Sequence, residues 1–107
     1  MVLGIAVVLA LAAIRLLDQP LALESYRVLD PQTLVVIGYG SPRAWTHITG
    51  VTETDQTVTI AVNAFTFELG PGTSSAARLY VPIYLSEALG SRAVMDGTTG
   101  QPIPGSG

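Results

Sequence analysis

Thr57-Val58-Thr59-Ile60-Ala61-Val62 alternates strictly: Val58, Ile60 and Val62 point one way, Thr57, Thr59 and Ala61 the other. A period of two belongs to a half-buried strand, because successive side chains of extended chain face opposite sides. Just before it, Trp45 to Glu53 forms a second arm, and Thr54-Asp55-Gln56 lies between the two as a turn. Residues 45–62 therefore read as a β-hairpin. In the first arm Ile48 and Val51 are three apart, which breaks the alternation. A β-bulge near Thr49-Gly50 would restore both to the core face.

Working outward, Leu34-Val35-Val36-Ile37 is apolar on both faces and reads as a central strand. Asp30-Pro31-Gln32-Thr33 before it is a turn, with proline presetting φ and the Asp carboxylate able to accept backbone amides. Gly38, Gly40, Ser41 and Pro42 are expected to end that strand. Leu79, Val81, Ile83 and Leu85 alternate with Arg78, Tyr80, Pro82 and Tyr84, a second clear half-buried strand. Pro82 lacks an amide donor, which places this strand at a sheet edge or turns that position outward. Phe65 to Leu69 extends the sheet or covers its edge, and Gly70 to Ser75 is a flexible loop. Ser86 to Leu89 has room for one helical turn, and Gly90 ends a turn. Ala93 to Met95 is a last short strand, with Asp96-Gly97 opening another turn whose Asp accepts backbone amides. Gln101 to Gly107, with two prolines and two glycines, reads as tail. The expected fold is all-β: a small antiparallel β-sandwich or partly open barrel of 5–6 strands, preceded by an N-terminal apolar helix. We place the β domain at residues 24–104, with 105–107 disordered.

The chain has 107 residues, room for one small domain. Five arginines, no lysine and eight acids give a net charge of −3, without the basic patch a nucleic-acid binder needs. Without cysteine there is no disulfide, thiolate nucleophile or Cys-ligated metal. A single histidine excludes any intrachain site that needs two. No cofactor is expected. Fifteen of the first 17 residues are apolar, so residues 1–23 read as a signal peptide or N-terminal membrane anchor, with membrane contact through 1–17. Pro20-Leu21-Ala22 is a candidate cleavage site. The alternative for this segment is a buried core helix, which would normally carry a polar face.

Candidate sites are few. Trp45 reads as a core or rim residue capping the sheet, or as a stacking platform for a sugar or a partner's side chain, with Arg43 positioned for a cation–π contact. Tyr80 and Tyr84 share the outward face of one strand, with Tyr39 a possible neighbour. They form either a recognition row or, by the plainer reading, a face covered by Phe65, Phe67 or a second sheet. His47 would need an orienting carboxylate and a nucleophile to act as a general base. Glu53, six residues along the same arm, lies roughly 20 Å away on an extended strand. Glu53, Asp55 and Asp96 lack the spacing of a Ca²⁺ loop and read as turn residues. No phosphate-binding loop, dinucleotide fingerprint or nucleophile elbow is present. Catalytic and metal-binding residues are therefore assigned to no position.

The stretch from Tyr26 to Pro104 resembles small exported all-β proteins of high-GC bacteria. The resemblance rests on Tyr26 to Leu34, Trp45, Val51 to Thr54 and Val58 to Val62, then Leu85 to Gly90, Arg92, Val94 and Asp96 to Gly100. It implies an exported β domain without an assigned activity. The chain departs from that pattern in having no basic residue before its apolar run. The expectation is a non-enzymatic, secreted or membrane-anchored domain of the cell envelope, acting through surface contacts with a protein or another envelope component. The alternative is a small-ligand or carbohydrate-binding module using Trp45, Tyr80, Tyr84 and Arg43. A hydrolase built on His47 is a distant third.

Overall fold

Each alternating run of the sequence becomes a strand in the computed structural model, which describes residues 18–66 and 76–105. Among these are β1 (Asp18–Pro20), β2 (Leu23–Asp30), β3 (Thr33–Gly40), β4 (Trp45–Glu53), β5 (Thr57–Phe65), β6 (Ala77–Tyr84) and β7 (Ala93–Asp96). They form two sheets. β2, β3 and β6 make one, with β3 central, and β5 organises the other, with β4 on one side and β1 and β7 on the other. The architecture is all-β and sandwich-like. The apolar helix expected before it, residues 67–69 and the 70–75 loop lie outside the described residues. Among those described, no helix is long and apolar enough to cross a membrane.

The hairpin of β4 and β5 forms around Thr54 to Gln56, where Thr54 N–H donates to the Thr57 carbonyl at 2.8 Å. Its bulge falls between Ile48 and Gly50 and leaves Thr49 as the extra residue. Ile48 then pairs with Val62 and Val51 with Ile60, so both point toward the core face as the spacing requires. They nevertheless stay exposed, because β4 is an edge strand lying at the margin of the opposite sheet. The fully buried side chains are Val58, Ile60 and Val62 of β5, Leu34 and Val36 of β3, Ile83 of β6 and Val94 of β7, which pack together in one core.

The second edge of β5 is shared. β1 pairs antiparallel with Asn63 to Phe65, while β7 pairs parallel with Thr57 to Ile60. Leu21 N–H and Gly97 N–H complete the edge on the carbonyls of Val62 and Ile60, each at 2.8 Å. The parallel pairing departs from the antiparallel expectation, and the chain path explains it. After β5 the chain crosses to the other sheet as β6 and returns through residues 85–92, so β7 runs in the same direction as β5.

β1 and β2 behave as one strand that changes sheets at Leu21-Ala22, a common way to turn a sandwich corner. The β domain thus takes in Asp18 to Leu23, ahead of the boundary expected at residue 24, with Leu21 and Leu23 in the core. Gly38 sits beneath this corner. A Cβ there would lie 2.7 Å from the Ala22 carbonyl oxygen and 2.9 Å from Leu21 Cγ, so glycine is required by close approach. Gly38 does not end β3, which runs on to Gly40 and stops there, before Ser41 and Pro42 as expected.

Gln101 to Gly105 is likewise not a tail. Ile103 is 4% exposed, its N–H donates to the Val94 carbonyl at 2.8 Å, and the Pro104 carbonyl accepts from Tyr26 N–H at 3.1 Å. Tyr26 bridges to Gly105 and Met95 to Pro102. This segment straps β7 to β2 and closes one side of the sandwich.

Candidate functional site

The outward face of the β2–β3–β6 sheet gathers the tyrosines. Register places Tyr39 opposite Arg78, Ile37 opposite Tyr80, Val35 opposite Pro82 and Thr33 opposite Tyr84. On the other side of β3, Arg27 lies opposite Val35 and Ser25 opposite Ile37. The result is an apolar floor of Val35 and Ile37 rimmed by tyrosine and arginine. Ile37 is buried although no third layer among the described residues covers it, because the long side chains of neighbouring strands close over it.

Tyr80 and Tyr84 are 55% and 75% exposed, so the expectation that another layer covers them is corrected. Pro82 sits between them on an edge strand, where its missing donor costs no ladder bond. Tyr39 is exposed and braced: Arg78 Nε donates to its hydroxyl at 2.8 Å, and the guanidinium carbon lies 5.7 Å from its ring centroid. Hydrogen bonds to Tyr39 and then Tyr80 hold the Arg78 guanidinium above its ordinary range. Two contiguous shallow grooves run along this face. One, of about 180 Å³, is lined by Arg27, Leu29, Val35, Ile37 and Tyr80. The other, about 220 Å³, shares Arg27, Ile37 and Tyr80 and adds Glu24, Ser25, Tyr39 and Arg78.

Trp45 does not belong to this surface. It opens β4 on the outward face of the other sheet, 73% exposed, opposite Phe65 with ring centroids 6.4 Å apart. It is therefore a rim residue. Arg43 lies in the connecting loop, its N–H donating to Ser41 Oγ at 3.3 Å. The structure thus brings together Tyr80 and Tyr84, adds Tyr39, Arg27 and Arg78, and separates Trp45 and Arg43 from them. The alternation of β6 pointed to Arg78 as an outward residue, but nothing local to the sequence indicated that Arg27 would join it.

His47 has a partner the sequence reading missed. Its Nε2 is 3.0 Å from Asp18 Oδ1, a contact that spans β5 from β4 to β1. The pair is open to solvent, with the imidazole 50% and the carboxylate 34% exposed. Its neighbours on that face, Pro20, Asn63 and Phe65, offer no hydroxyl or thiol. A base and an orienting carboxylate are present, without an adjacent nucleophile among the described residues.

Glu53, Asp96 and Asp30 serve the fold. Glu53 accepts Ser86 N–H at 2.9 Å, Ser86 Oγ–H at 2.7 Å, Glu87 N–H at 3.4 Å and Arg92 Nη2 at 3.2 Å. The two Ser86 bonds, aided by Arg92 and Glu87, lower its pKa from 4.5 to about 2. Arg92 also donates to the carbonyls of Thr54, Glu87, Ala88 and Leu89, which fixes the 85–92 loop against the hairpin turn. Asp96 is 2% exposed and accepts Leu23 N–H at 3.1 Å and Thr98 N–H at 2.9 Å. That turn forms as its Asp-Gly sequence suggests, with a further bond from Gly100 N–H to the Asp96 carbonyl. Asp30 accepts Gln32 N–H at 2.9 Å in the same manner. Among the described residues, no group of three or more acids and histidine converges as a metal site.

Compared with protein families, with curated proteins and with solved structures, the chain matches none.

Proposed function

We propose that this chain is a non-enzymatic β domain of the cell envelope, secreted or membrane-tethered, that acts through the tyrosine face of its β2–β3–β6 sheet. The observation that supports this reading most is the exposure of Tyr80 and Tyr84 beside Arg27 and Arg78 over an apolar floor. Tyrosine and arginine are enriched where proteins bind one another: each offers a large contact area and a polar end that tolerates solvent when unbound. The apolar first 17 residues support the envelope location.

The grooves along the same face favour a second reading, a module that takes a small ligand or a sugar ring against Tyr80. Trp45 has no part in that version.

A photo-crosslinking residue at position 80 of the full chain, in its native cell, tests the first reading. Specific protein adducts are expected from position 80 and not from position 59 on the opposite outward face. Equal yields from both positions, or none from position 80, refute it. Ligand-induced shifts confined to this face, without protein adducts, would favour the small-ligand version. Recovery of the chain wholly from the cytosol would remove the envelope assignment.

A further inference from the structure

We propose that the end of the sandwich where the chain enters β1 rests on a lipid surface, with Trp45 as its interfacial anchor. The inference rests on the tethered form of the function proposed above and adds an orientation and a contact residue.

No spacer separates the apolar run of the sequence from the first paired residue. Residues 1–17, 15 of them apolar, run directly into Asp18, which is already paired in the sheet. A tether of that sequence brings its bilayer to the edge of the folded domain. Asp18 pairs with Phe65 and Phe65 with Trp45, so the three lie in one row on an outward face. At the usual spacing of strands, Trp45 is about 10 Å from the residue where the apolar segment ends. It is 73% exposed there, although indole is the side chain that prefers the boundary between headgroups and hydrocarbon. Phe65 stands beside it, and Arg43, in the loop at the same end, has the length to reach phosphate while its stem stays apolar.

Charge is distributed in the same sense. The opposite end, built from the turns at 30–33 and 53–57 and the 85–92 loop, carries Asp30, Glu53, Asp55 and Glu87 against Arg92 alone. Among the described residues of the β1 end, Arg43 and Arg78 balance Asp18 and Glu24. An anionic bilayer therefore repels the far end and tolerates the near one. The outward face between them is threonine-rich, with Thr52, Thr57 and Thr59 beside the half-buried Met95, so little apolar surface draws the sandwich flat against lipid.

Trp45 is the only tryptophan, which makes the full chain its own reporter. The experiment reconstitutes it into vesicles of phosphatidylglycerol and phosphatidylcholine and reads flotation and tryptophan emission. Headgroup-labelled lipid serves as the shallow quencher and iodide as the aqueous one. The proposal expects co-flotation, a blue-shifted emission, strong quenching by the labelled lipid and protection from iodide. In a Trp45→Phe, Asp55→Trp chain, whose reporter sits on the exposed far turn, emission should stay iodide-accessible and unquenched by lipid. Flotation with a water-exposed Trp45 overturns the proposal and leaves the tether standing. Flotation with both positions quenched overturns the end-on orientation. A chain that does not float removes the tether and the proposal together.

Discussion

Replacing Ile103 by alanine separates the strap at residues 101–105 from a mere chain end. The side chain is 4% exposed and lies in the core cluster shared with Leu23, Val58 and Val94. Truncation to alanine removes apolar carbons worth roughly 0.8 kcal/mol each, about 2.4 kcal/mol in all. A residual cavity adds to that. The strap is short and held by three backbone bonds, from Ile103 to Val94, from Asp96 to Gln101 and from Tyr26 to Pro104, so it can settle part-way into the gap. A loss of about 2.5–3.5 kcal/mol is therefore expected, in the lower half of the usual range for such truncations.

In a domain of this size each kcal/mol moves the melting midpoint by about 4–8 °C, so Ile103→Ala should melt about 10–28 °C below the parent. Ile103→Val, which removes one carbon, should cost about 0.5–1.5 kcal/mol. The assay is thermal unfolding of the full chain followed by circular dichroism in the strand region, with parent and variants at one ionic strength and pH. Urea titration checks that the slope, and hence the cooperative unit, is unchanged. If Ile103→Ala melts within about 2 °C of the parent, on the scale just given, the strap does not seal the core.

Asp96→Ala leaves the amides of Leu23 and Thr98 without their acceptor and should cost about 3–5 kcal/mol in urea unfolding; a loss under about 1 kcal/mol would contradict the bridging role. Asp96→Asn retains one acceptor oxygen and should cost less. Glu53 has a folded-state pKa of about 2 against 4.5 when unperturbed, so its stabilisation is complete above pH 4.5 and is lost as pH falls toward 2. The melting gap between parent and Glu53→Gln should accordingly be constant above that window and close within it, and a gap that stays open in acid refutes the assignment. Gly38→Ala should destabilise by about 1–3 kcal/mol, since its methyl group meets the Ala22 carbonyl at the strand corner; a neutral result would show that the corner yields freely.

The hairpin, its bulge and the outward row of β6 were legible because each is written in residues that adjoin one another. Ile48 and Val51 declared the bulge by being out of phase. Their exposure was not legible, since it depends on how far the opposite sheet reaches over β4. The tyrosines show the same division: alternation turned Tyr80 and Tyr84 outward, but their exposure required the absence of a third layer. Asp18-Gln19-Pro20 has no strand pattern of its own, and its partner on β5 lies far along the chain. Hence β1 and the Asp18–His47 contact were both missed. Ile103 fails for a related reason, because one apolar residue between two prolines carries no period. Its burial is decided by β7 and β2, which arrive from opposite sheets.

How the polar groups are used bears on function more directly than any motif. Glu53, Asp96 and Asp30, the acids a hydrolase or a metal site could draw on, accept backbone amides that would otherwise lose a partner. Such a carboxylate is poorly placed to exchange protons with a substrate, since each proton gained disrupts a turn or a loop. Arg92 is committed in the same way to five acceptors around the 85–92 loop. Asp18 and His47 remain open, yet their neighbours supply no nucleophile. Among the described residues, the exposed side chains include Tyr80, Tyr84, Leu29 and Arg27 on one sheet and Trp45 and Ile48 on the other. Tyr80 and Trp45 sit on opposite outward faces. A domain held to a bilayer at the Trp45 rim would leave the tyrosine face free to meet a partner, so the two proposals require no residue in common.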